Sequence, residues 1–223
     1  MFHELLSEIK NNNSNNVKTI LEKVENENII LDLNEKDNNG EYPVLSAIYK
    51  DNAEIIKLLI EYANHHHIIL IINDKENNFG FYPFFLAVYK ENIEIVKLLI
   101  NYTKDYNITL NINEKTKIIN CYPLLYAIYK NNIEIIKLIM EYAKAHNIVL
   151  NMKESEIEDS SKINPEIIKL FRKYEEEGIL SIEYNENSII FKNFKEIAVK
   201  EKKKKVIFFF FFIFLFFFLF YFY

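Results

Sequence analysis

The chain has 223 residues and is 50% apolar, enough to bury the core of one domain or of a short solenoid. Its net charge of -5 leaves no basic stripe for a phosphate backbone, so nucleic acid is not an expected partner. A single cysteine, Cys121, excludes an internal disulfide and a cysteine-based zinc site, and no cofactor is expected.

The first ten residues, MFHELLSEIK, lack the apolar core of a secretion signal, and a reducing, cytosol-facing setting is the default expectation. Phe2–Lys10 and Val17–Val24 carry apolar residues at helical spacing around the polar stretch Asn11–Asn16. They predict a helix pair serving as an N-terminal capping repeat over residues 1–33. Asn, Ile, Lys, Tyr and Phe are heavily used and share AT-rich codons, so the Asn runs read as polar loops rather than as functional signals.

A repeat with a 40-residue period follows, with three copies in phase over residues 34–153. Tyr42-Pro43, Tyr82-Pro83 and Tyr122-Pro123 share a register, as do Ala47, Ala87 and Ala127. So do the pairs Tyr49-Lys50, Tyr89-Lys90 and Tyr129-Lys130, and later Tyr62, Tyr102 and Tyr142. Between them lie the blocks Glu54-Ile-Ile-Lys-Leu-Leu-Ile60, Glu94-Ile-Val-Lys-Leu-Leu-Ile100 and Glu134-Ile-Ile-Lys-Leu-Ile-Met140.

Each copy predicts two helices. Proline suits the first helical turn, where its missing N–H costs nothing. The breaks Asp51-Asn52, Glu91-Asn92 and Asn131-Asn132 place an asparagine where it can cap the next helix. In the second helix Ile55, Leu58 and Leu59 fall on one stripe, expected to be buried. Gly40, Gly80 and Asn120 stand where a turn with positive φ is expected. The apolar stretches Ile68–Ile72 and Ile108–Ile112 suit either a prolonged helix or the extended arm of a hairpin.

The order of turn glycine, proline, alanine, polar break and Glu-Ile-Ile/Val-Lys-Leu-Leu resembles the ankyrin repeat across residues 34–153. The resemblance implies an all-α solenoid of helix-turn-helix repeats, with three full repeats between degenerate N- and C-terminal ones. It further implies a non-catalytic scaffold for protein–protein interaction. Where that family carries Thr-Pro-Leu-His, this chain has Tyr-Pro-Val-Leu, Tyr-Pro-Phe-Phe and Tyr-Pro-Leu-Leu. The Thr and His hydrogen bonds between neighbouring repeats are therefore absent, and apolar and Tyr packing is expected instead. The glycine that ends the family's first helix is here Asp51, Glu91 or Asn131. The period also exceeds the family's, about 33 residues, and the excess is placed after the second helix.

Residues 154–199 read as a degenerate C-terminal repeat. Asn164-Pro-Glu-Ile-Ile-Lys-Leu170 echoes the second-helix block, the first helix is shortened around Glu154–Lys162, and Gly178 suits a helix stop. Ile179–Tyr184 and Ser188–Phe191 suggest a small hairpin or a cap. Residues 200–223 form a basic flank, Lys200 and Lys202–Lys205, followed by 18 apolar residues, Val206–Tyr223, of which 11 are Phe. As a helix, this run would cover about 27 Å at about 1.5 Å per residue, near the thickness of a bilayer core. One expectation is a tail-anchored adaptor that displays its repeats to the cytosol; the competing one is AT-rich noncoding sequence read as protein.

No catalytic set is found. Three glycines in the whole chain cannot supply a phosphate-binding loop or a dinucleotide fingerprint. His65-His66-His67 reads as a solvated turn, since three adjacent side chains cannot face one metal and no carboxylate or cysteine is spaced to assist. Cys121 shares its register with Glu41 and Phe81, as a variable residue rather than a nucleophile. Glu54/Lys57 and their equivalents read as surface ion pairs spaced i, i+3.

The resemblance places partner contacts at the turns and along the first helices. The candidate surface is therefore Glu41, Phe81 and Cys121 at the turns, with Tyr49, Lys50, Tyr89, Lys90, Tyr129 and Lys130 on the helices. The Tyr-Lys ladder suits an acidic peptide, but its uniformity equally suits a structural role such as Tyr stacking from repeat to repeat. The expected protein is a monomer binding an unspecified protein, attached to a membrane only through Val206–Tyr223. A fragment of a longer repeat protein is a further alternative.

Overall fold

Pro43, Pro83 and Pro123 each occupy the first turn of a seven-residue helix, behind a tyrosine in extended conformation. The computed structural model describes residues 1–157, 162–185, 188, 190 and 192. These divide into two compact units, Met1–Leu150 and Asn151–Tyr223. The first unit contains eight helices among its described residues: α1 (Phe2–Lys10), α2 (Ser14–Asn26), α3 (Pro43–Tyr49), α4 (Ala53–His65), α5 (Pro83–Tyr89), α6 (Ile93–Tyr106), α7 (Pro123–Tyr129) and α8 (Ile133–Ala145). Each odd-numbered helix packs on the even-numbered one that follows it. The odd helices stack α1, α3, α5, α7 and the even helices α2, α4, α6, α8, giving the two-layered solenoid expected of a helix-pair repeat.

Local chemistry sets where the helices start and stop. The first helix of each full repeat ends because Asp51, Glu91 and Asn131 adopt left-handed backbone, with φ of 58°, 56° and 54°. The next residue begins the second helix: the side chains of Asn52, Asn92 and Asn132 accept the N–H of Ile55, Ile95 and Ile135 at 3.0, 3.0 and 3.1 Å. The buried stripe of α4 is Ile55, Ile56, Leu59, Tyr62 and Ala63. Leu58, expected in that stripe, is only half-buried, because it faces a groove between α2 and α4.

After α4 and α6 the chain is neither helix nor paired strand; it runs as an extended arm. Leu70 and Ile72, like Leu110 and Ile112, are buried, whereas Ile69 is 59% exposed. Each arm is pinned from both sides. The Tyr102 hydroxyl of the following repeat accepts the Leu70 N–H at 2.8 Å. From the preceding repeat, Asn34 donates to the Ile69 carbonyl and accepts the Ile71 N–H, both at 2.8 Å. Asn73 and Tyr142 hold the next arm in the same way through Thr109, Asn111 and Leu110. Tyr42 and Tyr82 add a second clip by donating to the carbonyls of Asp74 and Glu114. Hydrogen bonds from Tyr and Asn, not packing alone, thus join the repeats where Thr and His are missing.

The turns between repeats close when the N–H of Asp37, Glu76 and Thr116 donates to the carbonyl of Glu41, Phe81 and Cys121. Gly40, Gly80 and Asn120 supply the positive φ. At Gly80 a Cβ would also meet the Lys117 Cβ at 2.7 Å and the Lys117 backbone nitrogen at 2.8 Å, so close approach as well as φ requires glycine. The expected i, i+3 pairs are corrected: Lys57 reaches Glu94 at 2.6 Å and Lys97 reaches Glu134 at 2.7 Å, tying successive second helices together.

Among its described residues the second unit comprises β1 (Leu150–Lys153) from Asn151 onward, a 3-10 turn at Glu154–Glu156, α9 (Pro165–Glu176) and β2 (Leu180–Glu183). Asn164 caps α9 and Gly178, at φ 72°, stops it. β2 pairs with β1; the expected hairpin arm at Ser188–Phe191 lies partly outside the described residues. The all-α expectation thus acquires a two-stranded exception, organised around the buried carboxylate of Glu154, which accepts the N–H of Asn185 and Ile190. Residues 158–161 of the shortened first helix also lie outside the described residues. No helix among the described residues is long and apolar enough to cross a membrane, and Val206–Tyr223 lies outside them.

Candidate functional site

The short first helices present their C-terminal ends as a row. Lys50, Lys90 and Lys130 are exposed, Tyr49 is half-buried, and Tyr89 and Tyr129 are 37% and 47% exposed. Tyr49 packs against Phe81 with ring centres 6.2 Å apart; Tyr89 packs against Phe81 at 5.4 Å and against Tyr126 at 5.0 Å. Desolvation, reinforced by the negative charges of Glu76 and Glu41, pushes the Tyr49 hydroxyl well above its usual ionisation range. Lys130 lies over the Tyr126 ring at 5.6 Å and within 3.6 Å of Glu91. The row therefore joins a structural aromatic seam to an exposed cationic edge.

The three turn positions are placed differently from one another. Phe81 and Cys121 are buried, 6% and 2% exposed, and belong to the core rather than to the open surface. Each follows the left-handed turn residue, where the chain heads back into the repeat stack. Glu41 is half-buried, ion-paired with Lys10 at 3.2 Å and hydrogen-bonded by Ser46. What the turns expose instead is Phe79 at 49%, Ile118 at 62% and Ile119 at 43%. The only signal in the sequence was an apolar residue directly before the turn Gly or Asn, where polar residues are the norm. The same tip in the first full repeat is Asn38-Asn39, so these positions vary between repeats. Phe79 stacks on Phe81 at 5.4 Å, which continues the track Phe79–Phe81–Tyr89–Tyr126 from turn tip to helix end.

The histidine run requires a correction. A carboxylate does stand beside it: Glu25, one repeat earlier, places Oε1 3.0 Å from His65 Nδ1 and 3.5 Å from His66 Nε2. Sequence spacing hid it because 40 residues of chain separate groups that repeat stacking makes neighbours. The hydrogen bond with His65, then its charge and the nearby His66, hold the Glu25 carboxyl below its usual value.

Stacked helix pairs, left-handed turn residues and clips between adjacent repeats define a helical repeat protein. The family model for ankyrin repeats (3 copies) matches residues 5–110 and 64–153. The chain belongs to the ankyrin-repeat family. Ankyrin repeats generally mediate binding to protein partners and are typically not enzymes. Comparison with curated proteins finds no match.

Proposed function

We propose that this chain is a non-catalytic protein-binding scaffold whose contact surface runs from the turn tips Phe79, Ile118 and Ile119 to Tyr89 and Tyr129, bordered by Lys50, Lys90 and Lys130. The observation that carries the reading is the aromatic track from exposed Phe79 through Phe81 to Tyr89, with lysines beside it. Large rigid side chains bury much area at little entropic cost, and a cationic rim favours acidic partners. The fitting ligand is an extended or helical segment with apolar anchors and acidic neighbours.

Selection from a displayed random-peptide library on the full chain tests it. Enrichment of acidic, apolar peptides that bind tenfold more weakly to a folded Phe79→Ser, Lys90→Glu variant is the expected outcome. Peptides that ignore both substitutions would remove this surface from consideration. The basic flank and the 18 apolar residues of Val206–Tyr223 favour a second reading, in which the same scaffold is held at a membrane facing the cytosol. It requires that carbonate-washed membranes retain the full chain and lose it when residues 206–223 are deleted.

A further inference from the structure

We propose that Glu25, His65 and His66 form a binding site for one divalent transition-metal ion of the zinc class, built across the junction between α2 and α4. A carboxylate oxygen and two imidazole nitrogens lie within 4.8 Å of one another. Two of their separations, 3.0 and 3.5 Å, bracket the edge of a zinc tetrahedron, about 3.3 Å for bonds of about 2.0–2.1 Å. Imidazole with carboxylate is a donor set suited to that ion.

Three further features point the same way. His66 Nε2 is buried and, 3.5 Å from Glu25 Oε1, makes no hydrogen bond. A buried imidazole nitrogen without a partner is costly unless something else occupies its lone pair. The His66 ring is also held in place: it packs on the Tyr62 ring at 4.3 Å, and the Tyr62 hydroxyl accepts the Leu31 N–H at 2.9 Å. Such support around a ligand reduces the ordering needed on metal binding. Finally, Glu25 lies in the last turn of α2 and His65 ends α4, so two helix C-termini, with their partial negative charge, converge on the site.

The α2–α4 groove, about 280 Å³ and lined in part by Glu22, Glu61 and Tyr62, opens beside His65 and leaves room for water or a fourth ligand. His67, whose backbone is left-handed (φ 56°), is not among the grouped donors. The later junctions carry Asp105-Tyr106 and Ala145-His146 in this register, so the donor set does not recur there.

Titration of the metal-stripped full chain with Zn(II), followed by calorimetry and thermal unfolding, tests the site, with Co(II) absorption reporting coordination. One ion per chain, a melting temperature that rises with Zn(II), and at least tenfold weaker binding in Glu25→Gln and His66→Gln are expected. His67→Ala should bind as the parent does. Because Glu25 is partly exposed, Glu25→Gln keeps the fold, and circular dichroism verifies this for each variant. Equal affinity in Glu25→Gln, equal losses in His67→Ala and His66→Gln, or no effect of Zn(II) on unfolding would each overturn the proposal, reducing the run to a flexible histidine chelator.

Discussion

The hydroxyl oxygen of Tyr102 accepts a hydrogen bond from the backbone N–H of Leu70 at 2.8 Å, across a repeat boundary and with both residues buried. Tyr62 and Tyr142 do the same for Leu31 and Leu110 at 2.9 Å. Burial raises the ionisation range of the Tyr102 hydroxyl, so it remains neutral and can go on accepting at any ordinary pH. Tyr102→Phe keeps the ring and removes the acceptor, leaving a buried N–H unsatisfied. It should cost about 1–3 kcal/mol in urea unfolding and speed exchange of the Leu70 amide selectively. A cost near zero would mean that water replaces the hydroxyl and that the clip is dispensable.

Asn34 and Tyr102 grip the same arm, one from the preceding repeat and one from the following. Their effects should therefore be coupled rather than additive. Asn34→Ala alone should cost about 1 kcal/mol, since the side chain is partly exposed. In the double-mutant cycle with Tyr102→Phe an interaction energy of about 0.5 kcal/mol or more is expected. Strict additivity would show that the arm is anchored by its buried Leu70 and Ile72 instead.

These clips mark the boundary of what the sequence discloses. Helices, prolines at N1, asparagine caps and left-handed turns are consequences of local chemistry, and each is readable from a few adjacent residues. The Tyr62, Tyr102 and Tyr142 register is visible as a pattern, but its purpose is not, because the acceptor's partner lies about 30 residues away. Asn34, Asn73 and Asn113 were hidden in a chain rich in asparagine, though Asn-Glu-Lys, Asn-Asp-Lys and Asn-Glu-Lys recur there. The same non-locality concealed Glu25 beside His65. Burial misled at the turns: position after the turn residue is on a loop by sequence, yet Phe81 and Cys121 point into the stack.

Glu91 sits at φ 56°, where the family carries glycine, and it has no β-carbon-free way to relieve the strain. A left-handed conformation costs an L-residue about 1–2 kcal/mol, partly offset in a glycine variant by the extra entropy of its unfolded chain. The Lys130–Glu91 pair is exposed and adds about 0–1 kcal/mol at most. Glu91→Gly should thus stabilise by roughly 0.5–1 kcal/mol. Asp51→Gly should gain less, because Asp51 accepts a hydrogen bond from Asn92 at 2.8 Å. Asn131→Gly should gain least, since Asn tolerates this region best. Melting temperatures in any other order would place the controlling energy in side-chain contacts and not in backbone strain.

Asp37 anchors the first turn as an anion. Its Oδ2 lies 2.6 Å from Lys10 Nζ, and its Oδ1 accepts the N–H groups of Asn39 and Glu41, both at 2.9 Å. Desolvation opposes its charge, but the Lys10 hydrogen bond and the two backbone donors outweigh it, and the carboxyl ionises below its usual 3.8. A carboxylate depressed in the folded state adds stability that is complete above its unfolded pKa and fades as pH falls through the folded one. Asp37→Asn keeps an oxygen for the backbone donors and removes the charge. At neutral pH it should destabilise the chain by on the order of 1 kcal/mol, discounted because Lys10 is partly solvated. The difference between parent and variant should hold down to about pH 4 and shrink below it, as measured by urea midpoints across that range. Lys10→Met should lessen the same pH dependence by removing the cation that depresses the carboxyl. A gap that persists unchanged at low pH would assign the loss to amide geometry, and the turn would then owe its stability to neutral hydrogen bonds alone.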